Sequence, residues 1–203
     1  MPVTLAINGA AGRMGRRLIA LAAADPELRI AQVLECAGHP LLGKPAAEIE
    51  PGAKVDAGVK LAAKLAPGAQ VLVDFATAEG TVKRLREAVA TKTALVIGTT
   101  GLSEAQLAEV EKAAKSVPVI HAPNFSLGVN LVFRVAAEIA KALGPDFDIE
   151  IAAAHHNKKT DAPSGTALGI ARSVCAALGR DPKQTLVHGR EGKPGARTRP
   201  EIG

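Results

Sequence analysis

Aromatic residues are nearly absent from this chain of 203 residues: there is no tryptophan, no tyrosine and only four phenylalanines. Proteins that bind single-stranded nucleic acid stack bases on aromatic platforms, so a formal charge of +5 and a pI near 9.4 do not point to that partner. Much of the basic excess is local, in Arg190, Lys193, Arg197 and Arg199, and small anions explain it better. Cysteine is equally scarce. Cys36 and Cys175 stand far apart without framework spacing, which excludes a disulfide scaffold and suits reduced thiols in a cytoplasmic protein. No apolar run approaches the length of a membrane span, and Met1-Pro2-Val3-Thr4-Leu5 enters a strand without the basic and small-residue signals of a secretory leader. A membrane is therefore not an expected partner. With 47% hydrophobic and 22% charged residues, the chain has material for a real core and a size between one large domain and two small ones.

Chemistry-bearing side chains gather in one stretch, His155-His156-Asn157-Lys158-Lys159-Thr160-Asp161-Ala162-Pro163-Ser164-Gly165-Thr166. Residues 147–154 alternate and then turn small and apolar, as a strand does on leaving a core, and a helix is expected from Thr166 through Leu178. Pro163 redirects the chain and Ser164 is a good N-cap, which leaves backbone N–H groups at Gly165 and Thr166 for an anion. Two imidazoles and two lysines add positive charge and a source of protons. Taken singly, each of these residues is more often merely solvated. Their coincidence in one corner favours an active site that transfers a proton to an anionic ligand. Neighbouring histidines on a strand point to opposite sides and no further ligand lies nearby, so no metal is expected.

The chain opens with a buried strand, Val3 to Ile7, then Asn8-Gly9-Ala10-Ala11-Gly12-Arg13-Met14-Gly15 and a helix from about Arg13 to Ala24. Strand, glycine-rich turn and helix come in the order a dinucleotide pyrophosphate needs, since glycines admit the phosphates and the helix N-terminus receives their charge. Gly12 and Gly15 match the last two glycines of the fingerprint, while Ala10 stands at its first. Without a ligand, the same string would be an ordinary tight turn. Its position favours the dinucleotide, because Glu35, at the end of the apolar run Ile30 to Leu34, lies where an acid would accept hydrogen bonds from a ribose. A nicotinamide cofactor is the leading reading. Cys36 follows the acid without a cation, which leans the site toward NADH, while Arg13 as a phosphate partner keeps NADPH open.

Residues 39–68 read as a long loop with a short strand near Val59-Lys60-Leu61 and little chemistry. Apolar runs then return at Ala69 to Phe75, Ala94 to Gly98 and Val117 to Ile120, separated by helices, one of them starting at Ser103. This alternation predicts an α/β fold, a Rossmann-like doubly wound parallel sheet whose ligands bind beyond the carboxyl ends of the strands. Phe75-Ala76-Thr77, Gly98-Thr99-Thr100 and Ala122-Pro123-Asn124-Phe125 are such ends. A helix follows from Asn124-Phe125-Ser126 to about Leu143, with an apolar stripe through Leu127, Leu131, Val135 and Ile139. The expected domains are 1–124 for the dinucleotide and 125–203, of α+β type, with the histidine corner facing the cofactor across a cleft.

The motifs quoted above, together with Val71-Leu72-Val73-Asp74-Phe75 and Val96-Ile97-Gly98-Thr99-Thr100-Gly101, resemble the 4-hydroxy-tetrahydrodipicolinate (dihydrodipicolinate) reductase family in order and over essentially the whole chain. The resemblance implies a homotetramer that reduces a cyclic dicarboxylate of lysine and diaminopimelate biosynthesis with NADH or NADPH. Matched by position, it makes His155 the general acid and gives Lys159 charge stabilisation and a part in protonation. His156, Lys159, Gly165 and Thr166 would hold the carboxylates. Gly9, Ala10, Ala11, Gly12, Arg13, Met14, Glu35, Gly98, Thr99, Thr100, Ala122, Pro123, Asn124 and Phe125 would hold the cofactor.

Two departures stand out. Ala152-Ala153-Ala154 replaces the glutamate that often precedes the histidine pair in the family, and residues 187–203 match a loop in the middle of the family's second domain. The second domain is thus read as incomplete, for substrate binding and oligomerisation, and these 203 residues by themselves are expected to fold poorly or assemble incorrectly unless they are a fragment of a longer product. The alternatives are an inactive, shortened nucleotide-binding relative and a dehydrogenase of the same cofactor fold acting on another small acid.

Overall fold

The computed structural model describes residues 1–155, 157, 162–189 and 201–203. His156 and Lys159 of the histidine corner lie outside the described residues. By contacts the chain divides into two compact units, Met1–Ala122 and Pro123–Gly203.

The first unit is a six-stranded sheet in the order β3-β2-β1-β4-β5-β6, with β1 Val3–Asn8, β2 Leu28–Leu34, β3 Leu61–Ala62, β4 Val71–Asp74, β5 Ala94–Ile97 and β6 Val119–His121. Every neighbouring pair is parallel. Helices α1 Arg13–Ala24, α2 Ala46–Ile49, α3 Ala78–Thr91 and α4 Glu104–Ala114 supply the connections. Strand order reverses between β1 and β4, which is where such sheets bind ligands.

The strands read as unbroken apolar runs because both sheet faces are covered. Leu5 and Ile7 of β1 pack with Ile19 of α1 and with Ile30 and Val33 of β2. Ala6, between them, points to the opposite side with Leu72, Leu95, Leu85 of α3 and Val110 of α4. The helices start where their sequences allow. Thr77 caps α3 by accepting from Gly80 N–H, and Ser103 and Gln106 form a reciprocal capping box on α4.

The second unit holds α5 Leu127–Leu143, a 3₁₀ turn Gly144–Asp146, α6 Gly165–Ala177 and α7 Pro182–Thr185. Its core joins Ala140, Val174, Cys175 and Ile202, with Ile149, Ile151 and Leu186 packed against them. The strand expected over 147–154 is reduced to single bridges. Ile149 and Leu186 each pair with Ile202, and Ile151 N–H donates to Gly203 O at 2.8 Å. The pattern gave the alternation but not the partner, which comes from some fifty residues later. Nor is the predicted stripe of α5 covered. Leu127 is 86% exposed and Leu131 58%, because α5 meets α6 through a different face, where Phe133 lies against Gly169.

Candidate active site and cofactor cleft

The first unit carries a cleft of about 500 Å³ at the carboxyl ends of its strands, lined by Asn8, Gly9, Gly12, Glu35, Phe75 and Lys83 among others. The sequence dictates its shape. Gly9 takes φ +70°, and a Cβ there would stand 2.9 Å from Phe75 O, so only glycine makes this turn while β1 and β4 stay adjacent. Gly15 lets α1 approach the turn, since a side chain at that position would strike Gly9 O and the Ala10 backbone. Gly12 caps α1 without a side-chain hydrogen bond, which leaves the leading N–H groups of the helix open to a ligand.

Glu35 closes the same cleft. Its Oε1 accepts from Ala11 N–H and its Oε2 from Cys36 N–H, both at 3.2 Å, so the acid at the end of β2 is tied to the glycine turn after β1. Each oxygen keeps a second lone pair for a hydroxyl. Arg13 and Met14 lie exposed in the first turn of α1, and Gly9 and Ala10 are buried beneath it. Gly98 and Thr99 follow β5. Thr99 is buried and its Oγ1 accepts from Ala76 N–H at 3.0 Å, Gly98 lies under the Phe75 ring, and Thr100 is exposed. An open helix N-terminus, a glycine turn and a carboxylate in one cleft suit a pyrophosphate and its ribose.

Beneath the cleft lies a buried polar network that sequence reading missed. Asn8, at the end of β1, donates to Asp74 Oδ1, at the end of β4, at 2.8 Å. Arg84 of α3 donates from Nε to Asn8 Oδ1 at 2.9 Å, from Nη2 to Glu35 O at 2.9 Å, and from Nη1 to Ala63 O at 3.0 Å and to Glu87 at 2.6 Å. Asp74 is fully buried, and burial pushes its carboxyl up from the ordinary carboxylate range against the pull of neighbouring hydrogen bonds and the Arg84 charge. A helical arginine ordinarily signals a solvated face, so nothing in the sequence marked this one.

In the second unit, Ser164 is buried and caps α6 by accepting from Ala167 N–H at 3.0 Å. The N–H groups of Gly165 and Thr166 precede that bond and, among the described residues, have no hydrogen-bond acceptor. Asn124 Nδ2 donates to Thr166 Oγ1 at 3.3 Å, which joins the turn after β6 to the head of α6. Asn124 Oδ1 also accepts from Ser126 N–H, and Ser126 caps α5. Pro123, Phe125 and His155 are exposed. Among the described residues, no group of three or more His, Cys, Asp or Glu side chains could hold a metal ion, and no helix is long and apolar enough to cross a membrane.

Two family models match the chain, the N-terminus of dihydrodipicolinate reductase over residues 3–125 and its C-terminus over residues 128–203. The chain belongs to the dihydrodipicolinate reductase family. It is 46% identical over 205 residues to the 4-hydroxy-tetrahydrodipicolinate reductase of Alkalilimnicola ehrlichii, covering 100% of this chain and 76% of that protein. The corresponding protein of Magnetococcus marinus is 40% identical over 211 residues, with the same coverage. A solved structure, dipicolinate-bound dihydrodipicolinate reductase from Paenisporosarcina sp. TG-14, superposes with a TM-score of 0.66 at 25% identity, over 100% of this chain and 77% of that one. The chain thus spans about three quarters of the length of these reductases. Membership makes it an NAD(P)H-dependent oxidoreductase with a Rossmann-like nucleotide-binding fold.

Proposed function

We propose that this chain reduces 4-hydroxy-tetrahydrodipicolinate to tetrahydrodipicolinate in lysine and diaminopimelate biosynthesis, with the roles of its residues divided between the two units. The observation that carries the reading is the cleft in which the glycine turn, the open head of α1 and Glu35 meet. Gly9 to Met14 hold the pyrophosphate, Glu35 accepts from the adenosine ribose, and Gly98 to Thr100 with Ala122 to Phe125 flank the nicotinamide half. When bound, the reduced nicotinamide supplies a hydride. The 4-hydroxyl leaves as water to give an unsaturated carbon conjugated with the ring imine; the hydride adds there, density moves toward nitrogen, and a proton must arrive from a placed acid. His155 donates it, while Lys159 balances the charge that develops on the ring. His156, Lys159 and the N–H groups of Gly165 and Thr166 hold the two carboxylates, so the substrate is anchored by its charges and reduced between them.

Cofactor preference leans to NADH. Cys36, exposed directly after Glu35, brings no cation to the place where a 2′-phosphate would lie, and Arg84 commits four of its five N–H donors inside the protein. Cys36→Arg is expected to improve kcat/KM for NADPH roughly tenfold relative to NADH; a ratio unchanged in initial-rate assays would show that this position does not set the preference. A homotetramer, which the family resemblance implies, and the reducing cytoplasm, which the two widely spaced thiols suit, belong to the same reading. Light scattering on the purified chain reads the assembly directly. The test of the function itself is loss of NADH absorbance on adding freshly generated substrate. An inactive chain that still binds NADH would support the shortened nucleotide-binding alternative instead.

A further inference from the structure

We infer that Arg84 is a positioning residue of the cofactor cleft, holding Glu35 in place and thereby setting the affinity for the adenosine half of the cofactor without touching the reacting atoms. The inference rests on reading the cleft as the NAD(P)H site. Arg84 is only 2% exposed although it carries a permanent charge. A buried guanidinium must be repaid by well-formed partners, and an apolar side chain of the same length would fill the space as well. Its partners are not scattered. Asn8 ends β1, Glu35 O immediately follows β2, and Ala63 O immediately follows β3. Through Asn8 the network also reaches Asp74, the last residue of β4. One side chain therefore ties four strand ends together on the edge where the cleft opens.

Glu35 is the member that needs this support. No helix follows it; the chain turns away through an exposed segment at 36–38, so little else holds its carbonyl. Its carboxylate has to sit where it can accept from Ala11 N–H and from a ribose at the same time. The planar fork of arginine fixes the direction of the Glu35 peptide, which a lysine with a single nitrogen cannot do while also reaching Asn8 and Ala63.

The test is a fluorescence titration of NADH against the full chain and its Arg84→Lys, Glu35→Gln and doubly substituted forms, with steady-state rates measured beside it. Arg84→Lys is expected to raise the NADH Kd and KM roughly tenfold, with kcat at saturating cofactor moving far less. The double variant is expected to bind NADH no more than about threefold worse than Glu35→Gln alone, because the two residues act in series. Should Arg84→Lys prove unstable, Arg84→Met combined with Glu87→Gln removes the ion pair as a unit and is expected to show the same loss of NADH affinity. If Glu35→Gln weakens NADH while the Arg84 variants do not, or if the two effects multiply in full, the positioning role is overturned and the cofactor site stands. If the unaltered chain takes up no NADH, or Glu35→Gln leaves binding intact, it is the reading of the cleft that falls.

Discussion

Among the described residues, Asp74 carries a buried carboxylate oxygen without a hydrogen-bond partner. It is fully buried; Oδ1 accepts from Asn8 and from Ala76 N–H, while Oδ2 has no hydrogen-bond partner. The nearby Thr81 hydroxyl donates to Thr77 O at 3.1 Å, and its pull on the carboxylate is weaker than the cost of burial. Desolvation accordingly raises the carboxyl above its ordinary value of 3.8. The sign follows from proton counting. Between 3.8 and the raised folded value, the native state keeps a proton that the unfolded chain has released, so stability declines as pH rises through that window and levels off above it. Asp74→Asn is expected to remove this decline while keeping an acceptor for Asn8. Urea unfolding at a series of pH values from acid to neutral checks it, and equal slopes in both proteins would show that Asp74 titrates normally. Sequence gave no hint of this, because a strand-terminal aspartate ordinarily caps a turn in solvent.

Among the elements, the contact of α1 with the turn before it depends on one missing methyl group. At Gly15 an added Cβ would stand 2.6 Å from Ala10 Cα, against backbone that cannot yield, whereas at Gly12 it would meet only Gly9 O at 3.2 Å. Gly15→Ala is therefore expected to destabilise the first unit by about 3 kcal/mol or more. Gly12→Ala should cost under about 1 kcal/mol yet weaken NADH roughly tenfold by placing a methyl in the phosphate approach. Denaturant midpoints and NADH titration separate the two, and equal stability losses would contradict the asymmetry. Elements of this kind were readable in advance. The start of α1 follows from the glycine turn that opens it, and the runs that became β1, β4, β5 and β6 are apolar because helices cover both faces. What escaped reading depends on distant partners. Residues 147–154 alternate as a strand should, but what they pair with lies at 201–203. The apolar stripe of α5 is genuine and remains exposed, since α6 packs on another side. The segment 39–68 reads as holding little chemistry, yet Ala63 O and Leu65 N–H both serve the network around Arg84 and Glu87. Pairings at long sequence separation leave no periodic trace, so composition and spacing cannot announce them.

At the scale of the whole molecule, the proposed labour divides along the chain. The groups assigned to the adenosine half and pyrophosphate of the cofactor belong to the unit that ends at Ala122, while the proton donor and the anion-binding head of α6 belong to the unit that begins at Pro123. Substitutions in the two units should therefore leave different signatures. His155→Ala and Lys159→Ala are each expected to lower kcat on the order of a hundredfold or more, the range for loss of a placed acid, while the NADH Kd stays within about twofold because both are assigned to proton transfer and charge balance rather than to holding the cofactor. Gly12→Ala is expected to do the reverse. Steady-state rates at saturating NADH and direct NADH titration give the two readouts independently. If the His155 or Lys159 variant weakened NADH binding as much as it slowed turnover, the proton-transfer role would have to be abandoned, and the histidine corner would become part of the cofactor's own site. The division holds only if the two sets of variants fail in different measurements, because a general acid acts on a barrier and a phosphate cradle acts on occupancy.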